Sequence, residues 1–145
     1  MSDNSKHAIR LSQQWQVEFF LATELKFRGK TSLPFESNPW LEEHAVDEAL
    51  SADSINRIRY SRAFSTPTGI DSNNQVCLRF EVLAPSVVRL NAQEISVDES
   101  GIADVTDLLK PALDKNRLEI VMDLEPGQIA MSNATLIGEI FLEIH

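Results

Sequence analysis

The side chains able to do chemistry in this sequence are dominated by 22 aspartates and glutamates. Two carboxylates held at a set separation across a cleft would serve acid–base hydrolysis of a glycosidic bond. With so many present, pairs arise by chance and none has a distinctive setting, so they read as a solvated acidic surface. The three histidines are His7, His44 and His145, in the opening tail, a predicted helix and the last position. That spacing makes neither a zinc pair on one helix face nor a nucleophile–base couple. Cys77 is alone, which excludes an internal disulfide and a multi-cysteine metal site. Inside a strand, it counts as a small buried apolar residue. Asp71-Ser72-Asn73-Asn74 and Asp98-Glu99 are rich in oxygen but lack an ordered ligand spacing for calcium, and they read as turns. There is no glycine-rich phosphate loop. The expectation is no catalytic residue, no metal and no cofactor, hence no enzyme.

Binding chemistry has better candidates. Aromatic rings are the usual platforms for ligands, and Trp15, Trp40 and Tyr60 divide by position. Trp15 and Tyr60 fall on apolar strand faces and belong to a core. Trp40 follows Pro39 at the head of a predicted helix, where a bulky ring can meet a ligand. Arg57, Arg59 and Arg62 form a basic cluster. Arg59 points away from Tyr60, toward solvent or a partner, whereas Arg62 on the apolar face is expected to pair with a buried carboxylate. Asp104, Thr106 and Asp107 look polar enough for a site but read better as acceptors capping the amides of a turn. The ligand-binding set is therefore Trp40, Phe35, His44 and Arg59. The first three share a connection over residues 27–50 that is long for a link between strands, and long ordered connections often carry function. Leu41, Ala45 and Ala49 give that segment an apolar face, which favours a plug over one open end of the fold. The outer side of such a plug can still be the recognition surface.

The elements that must position these residues follow from period and punctuation. A chain of 145 residues, 43% apolar and 24% charged, suits one domain with one core. Its net charge of −9 disfavours nucleic acid and anionic membrane as partners, because both are held by clustered Lys and Arg. A saccharide, another protein or a second copy of the chain remains open. Residues 1–10 are polar, read as a flexible tail and lack a secretory apolar run, and no stretch approaches the roughly 20 apolar residues that span a bilayer. The placement expected is cytoplasmic. Trp15, Val17, Phe19 and Leu21 alternate with mostly polar neighbours, as do Val76, Leu78, Phe80 and Val82, the clearest strand. Ile58, Tyr60 and Phe64, then residues 86–91 with 93–97 as a continuation, then Leu118, Ile120 and Met122, and finally Ile140, Leu142 and Ile144 supply the others. Residues 27–39 read as a loop around Gly29, Pro34 and Pro39. Asn38-Pro39 followed by Glu42 and Glu43 starts a short helix. Residues 104–109 make one capped helical turn before Pro111, and Pro126-Gly127 turns. Short strands between turn signals mean an all-β fold: a single antiparallel β-sandwich over residues 11–145 with one short helix.

The order of these pieces is more specific than their period. Ile58-Arg59-Tyr60-Ser61-Arg62-Ala63-Phe64 and Pro67 precede Val76-Cys77-Leu78-Arg79-Phe80-Glu81-Val82, then Val87-Val88-Arg89-Leu90-Asn91. Asp104-Val105-Thr106-Asp107-Leu108-Leu109-Lys110-Pro111 and Asn116-Arg117-Leu118-Glu119-Ile120 follow. This order resembles the N-terminal sugar-binding domain of the β-galactosidase/β-glucuronidase family of glycoside hydrolases, a galactose-binding-like jelly roll. The resemblance covers nearly all of the chain after the tail. It implies a non-catalytic module, since that family's catalytic acids lie in a separate barrel of about 250 residues. It implies a carbohydrate ligand by analogy, with a protein–protein or structural role as the alternative. Two departures stand out. The family's glycine after the turn asparagine is Ala92 here, where a left-handed backbone carries a cost. Residues 91–104 also lack the family's glycine- and histidine-rich loop.

Overall fold

The computed structural model describes residues 7–33, 56–83, 86–123 and 137–145. Among them are ten strands: β1 (His7–Arg10), β2 (Trp15–Leu21), β3 (Glu24–Thr31), β4 (Arg57–Ser65), β5 (Val76–Phe80), β6 (Val87–Leu90), β7 (Gln93–Ile95), β8 (Ile102–Asp104), β9 (Lys115–Asp123) and β10 (Ile140–Ile144). They form two antiparallel sheets, one ordered β1-β10-β5-β8 and the other β3-β2-β4-β9-β6-β7. The expected all-β sandwich is therefore the fold observed.

Period-two burial builds the core. Trp15, Val17 and Phe19 of β2, Ile58 and Tyr60 of β4 and Leu118, Ile120 and Met122 of β9 come from the six-stranded sheet. Val76, Leu78 and Phe80 of β5 with Ile140 and Leu142 of β10 come from the four-stranded one. Trp15 is fully buried and donates its indole N–H to the Leu11 carbonyl at 2.7 Å, so its polar handle is satisfied inside the core. The β5 row lies beside Ile140 and Leu142 within its own sheet, Phe80 against Ile140 and Leu78 against Leu142. Leu118, Ile120 and Met122 belong to the other layer.

Several expectations need correction. Residues 7–10 are not tail: β1 pairs along β10, and as an edge strand it can stay polar. Residues 27–31 are not loop: they complete β3, paired to β2 through a two-residue turn whose Ala22 has φ +56°. Gly29 lies opposite Val17 on this edge strand, where a missing side chain is tolerated. Val82 is 47% exposed because β5 ends at Phe80. There the Phe80 amide donates to the Gly101 carbonyl at 2.7 Å. Gly101 has φ +81°, and a β-carbon on it would run into the Phe80 carbonyl oxygen. Residues 93–95 do not extend β6 but turn back on it as β7. Residues 104–109 make a single turn closed by Leu108 N–H to the Val105 carbonyl at 3.0 Å. The expected helix after Asn38 and the Pro126-Gly127 turn lie outside the described residues. Among the described residues no helix is long and apolar enough to cross a membrane.

Candidate functional site

The polar motifs that carry the resemblance prove to be fasteners of the fold. The Asp104 carboxylate accepts the Thr106 amide at 3.0 Å and the Thr106 hydroxyl at 2.7 Å, and that hydroxyl accepts the Val76 amide at 2.9 Å. Those hydrogen bonds hold the Asp104 carboxyl below the usual carboxylate range. Asn116 is buried, with its Nδ2 donating to Thr66 Oγ1 at 2.7 Å and its Oδ1 accepting the Lys110 amide and Asn91 Nδ2. Asn91 also donates to the Leu108 carbonyl and accepts the Arg117 amide. This network ties the ends of β4, β6 and β9 to the 106–110 turn, each polar group finding a partner. Asp71 and Asp98 accept amides two residues on, so the oxygen-rich loops are turns. Among the described residues no group of His, Cys, Asp and Glu is placed to hold a metal.

A different chemistry appears on the outer face of the six-stranded sheet. Alternation puts Glu18 and Phe20 of β2 opposite the core face, beside Arg57 and Arg59 of β4. The Glu18 side chain is only 3% exposed. Arg59 donates Nε and Nη2 to its Oε1, both at 2.7 Å, and Arg28 of β3 donates Nε at 2.9 Å and Nη2 at 2.8 Å to Oε2. Burial pushes the Glu18 pKa up, but the hydrogen bonds and charges of Arg59 and Arg28 more than reverse this, leaving it below the ordinary glutamate value. The Arg59 guanidinium also lies over the Phe20 ring, 5.4 Å from its centre.

Next to this clamp is a recess of about 320 Å³, lined among the described residues by Phe20, Thr23, Arg57, Arg59, Val87, Arg89, Val121 and Asp123. Arg57 pairs with Asp123 at 2.8 Å, both of them well exposed. Arg89 lies opposite Glu94 of β7 and Glu119 of β9, yet its side chain makes no ion pair or hydrogen bond among the described residues. A second recess of about 700 Å³ on the same sheet takes in Gln16, Arg28, Lys30, Arg62 and Arg117. At the mouth of the sandwich, beside β7 and the 96–101 loop, a third hollow of about 590 Å³ has the opposite character, with Glu81, Glu94, Asp98 and Glu99 around it.

Of the residues proposed from sequence, Arg59 falls in the cationic region, though the clamp engages it rather than leaving it free. Trp40, Phe35 and His44 lie outside the described residues. The expected pairing of Arg62 with a buried carboxylate is not what forms. Its Nε donates to the Gln13 carbonyl at 2.6 Å and its Nη1 to the Ala63 carbonyl at 3.3 Å. β2 begins beside it, at Trp15, so the carbonyl of the preceding turn reaches the guanidinium first. Sequence reasoning missed Glu18, Phe20, Arg28 and Arg89. The signal available was outward parity: each sits on the polar phase of a strand whose other phase is apolar.

No protein-family model and no curated protein matches the chain by sequence. Solved structures do match it in fold. A β-glucuronidase from Faecalibacterium prausnitzii superposes on 98% of this chain at 21% identity with a TM-score of 0.65, using 23% of its own length. A β-glucuronidase from Ruminococcus gnavus covers 99% at 14% identity, TM-score 0.68, over 30% of its length. A β-D-mannosidase from Dictyoglomus thermophilum covers 85% at 18% identity, TM-score 0.64, over 16% of its length. The chain thus spans less than a third of each of these enzymes, and its fold is that of one domain within them. The resemblance stated from the motif order holds at this level.

Proposed function

We propose that this chain is a non-catalytic accessory module that binds a saccharide. The observation that supports this most is that nearly the whole chain superposes on a minor part of carbohydrate-processing enzymes, including a β-glucuronidase and a β-mannosidase. The motifs shared with the family's sandwich domain serve to fasten turns, and Asp104, Glu18 and Glu143 are engaged in hydrogen bonds and ion pairs that hold strands together. Both features suit a domain that presents a ligand surface and leaves bond cleavage to other parts of such enzymes.

Glycan profiling of the purified chain, combined with a mass measurement in solution, tests the proposal. Saccharide binding by a monomer, without release of nitrophenol from nitrophenyl galactoside or glucuronide, is the expected result. A stable oligomer that binds no saccharide would favour a protein–protein role instead. Trp40, Phe35 and His44 remain proposed contacts beside Arg59. Trp40→Ala separates the two roles: weakened saccharide binding with stability retained makes that residue a contact, and a large stability loss with unchanged binding makes it a plug only.

A further inference from the structure

We propose that the recess between β2, β4, β9 and β6 is a subsite for a short, carboxylate-bearing saccharide, anchored by Arg89. This rests on the saccharide reading above and narrows it to a chemical class and a place.

Arginine predominates among the charges of this recess, although the chain as a whole carries −9. Three arginines and one aspartate line it. Glu18 behind them does not cancel that surplus, because it is shared between Arg59 and Arg28. The three guanidinium groups differ in availability. Arg59 is held by two hydrogen bonds to Glu18 and stacks on Phe20, so it is a fixed positive wall. Arg57 has only the exposed Asp123 carboxylate, a pairing that an incoming anion can replace at little cost. Arg89 has Glu94 and Glu119 directly across from it on β7 and β9 but is joined to neither by an ion pair, so its planar fork stays open to a carboxylate that offers two parallel hydrogen bonds.

The floor supplies the other half of sugar recognition. Phe20, Val87 and Val121 are apolar and only partly covered, offering a surface for the C–H face of a pyranose ring. The size fits a short ligand, since about 300 Å³ is the lower end of small-molecule sites. A nucleic acid fits poorly: it needs a long track of phosphate contacts, and the overall negative charge opposes it. A symmetric pair of copies meeting on this face would set arginines against arginines.

The experiment is calorimetric titration of the full chain with a short oligogalacturonate and with its fully methyl-esterified form, which keeps the sugar and removes the charge. The acid is expected to bind, with the ester weaker by about tenfold or more, the scale of one lost charge-assisted hydrogen-bonded contact. Arg89→Ala should bring the acid down to the affinity of the ester without changing the thermal midpoint, and Arg89→Lys should recover only part of the loss. Added salt should weaken the acid and leave the ester unchanged. If the acid does not bind, if the ester binds as well as the acid, or if Arg89→Ala binds the acid like wild type, the subsite is refuted. Neutral saccharides binding in the profile would then leave the accessory-module reading standing, while an empty profile would remove both.

Discussion

The outer faces of the two sheets use the same device to different ends. On the four-stranded sheet, Glu143 of β10 is buried on the side away from the core and takes Arg79 Nε at 2.7 Å, while the Arg79 guanidinium stacks 4.5 Å from the Phe141 ring centre. On the six-stranded sheet, Glu18 takes Arg59 at 2.7 Å, and Arg59 stacks on Phe20. Each is a carboxylate strapped by arginine, with the arginine lying over phenylalanine. The charge around them differs. Arg79 has a second carboxylate, Glu81, at 3.7 Å, so negative groups match or exceed it. Glu18 has two arginines, and Arg57, Arg89 and Arg117 add further cations to the same face, where these arginines together outnumber the carboxylates Glu18, Glu94, Glu119 and Asp123 by one. A clamp in charge balance only fastens strands; one with a cationic excess also leaves a surface able to attract an anion.

The comparison predicts that stability from the core and stability from the clamps respond differently to salt and pH. The largest effect belongs to the core between the faces: Phe80→Ala should cost about 3–5 kcal/mol, as for removal of a buried aromatic ring. Urea midpoints at low and high salt should show the same loss, and an unshifted midpoint would refute the burial of this row. Removing both straps of Glu18 comes next. Arg28→Ala combined with Arg59→Ala strands a buried carboxylate and should cost about 3 kcal/mol, the low end for an orphaned buried charge because protonation relieves it.

The same clamp has a pH signature. The folded Glu18 pKa lies below its ordinary value of 4.5, so its contribution is fully present above that pH and is lost as pH falls through the lower folded value. Glu18→Gln should therefore be less stable than wild type at neutral pH and lose less on acidification, as followed by thermal melts across that range. The smallest effect is a control remote from both clamps. Asn91 and Ala92 have φ of +53° and +69°, and Ala92 holds a conformation that suits glycine. Ala92→Gly relieves a left-handed cost of about 1–2 kcal/mol and returns about 0.4–1 kcal/mol of entropy to the unfolded chain, so it should stabilise by about 0.5–1 kcal/mol net. The thermal midpoint should rise equally at every salt concentration, and a fall would mean the turn tolerates alanine without strain.

Legibility in the sequence followed locality. The Val76-Leu78-Phe80 row and the Asp104-Thr106 cap were readable because alternation and capping act within a few residues. The cost at Ala92 was readable for the same reason. β1 and β3 were not, since both are edge strands whose polar or glycine-containing sequences become strands only by pairing with β10 and β2. Of the binding set, Arg59 was placed on the outer face by parity, but its engagement by Glu18 was invisible. Nothing local says that an outward glutamate on β2 will be covered.

The sequence alone determined the inward rows of the central strands, such as Ile58 and Tyr60 or Leu118, Ile120 and Met122, the capped turn at Asp104, and an order of pieces that resembles the family's. A two-residue period and side-chain caps are physics of neighbouring residues, so no tertiary information is needed for them. The tertiary structure decided which outward residues are neighbours. Arg28, Glu18, Arg59 and Arg89 come from β3, β2, β4 and β6, and only the strand order β3-β2-β4-β9-β6-β7 sets them on one face. Lateral strand order depends on non-local pairing, and the charge of a face is summed over strands far apart in the chain. A sequence with net charge −9 can therefore carry a cationic surface that its composition conceals.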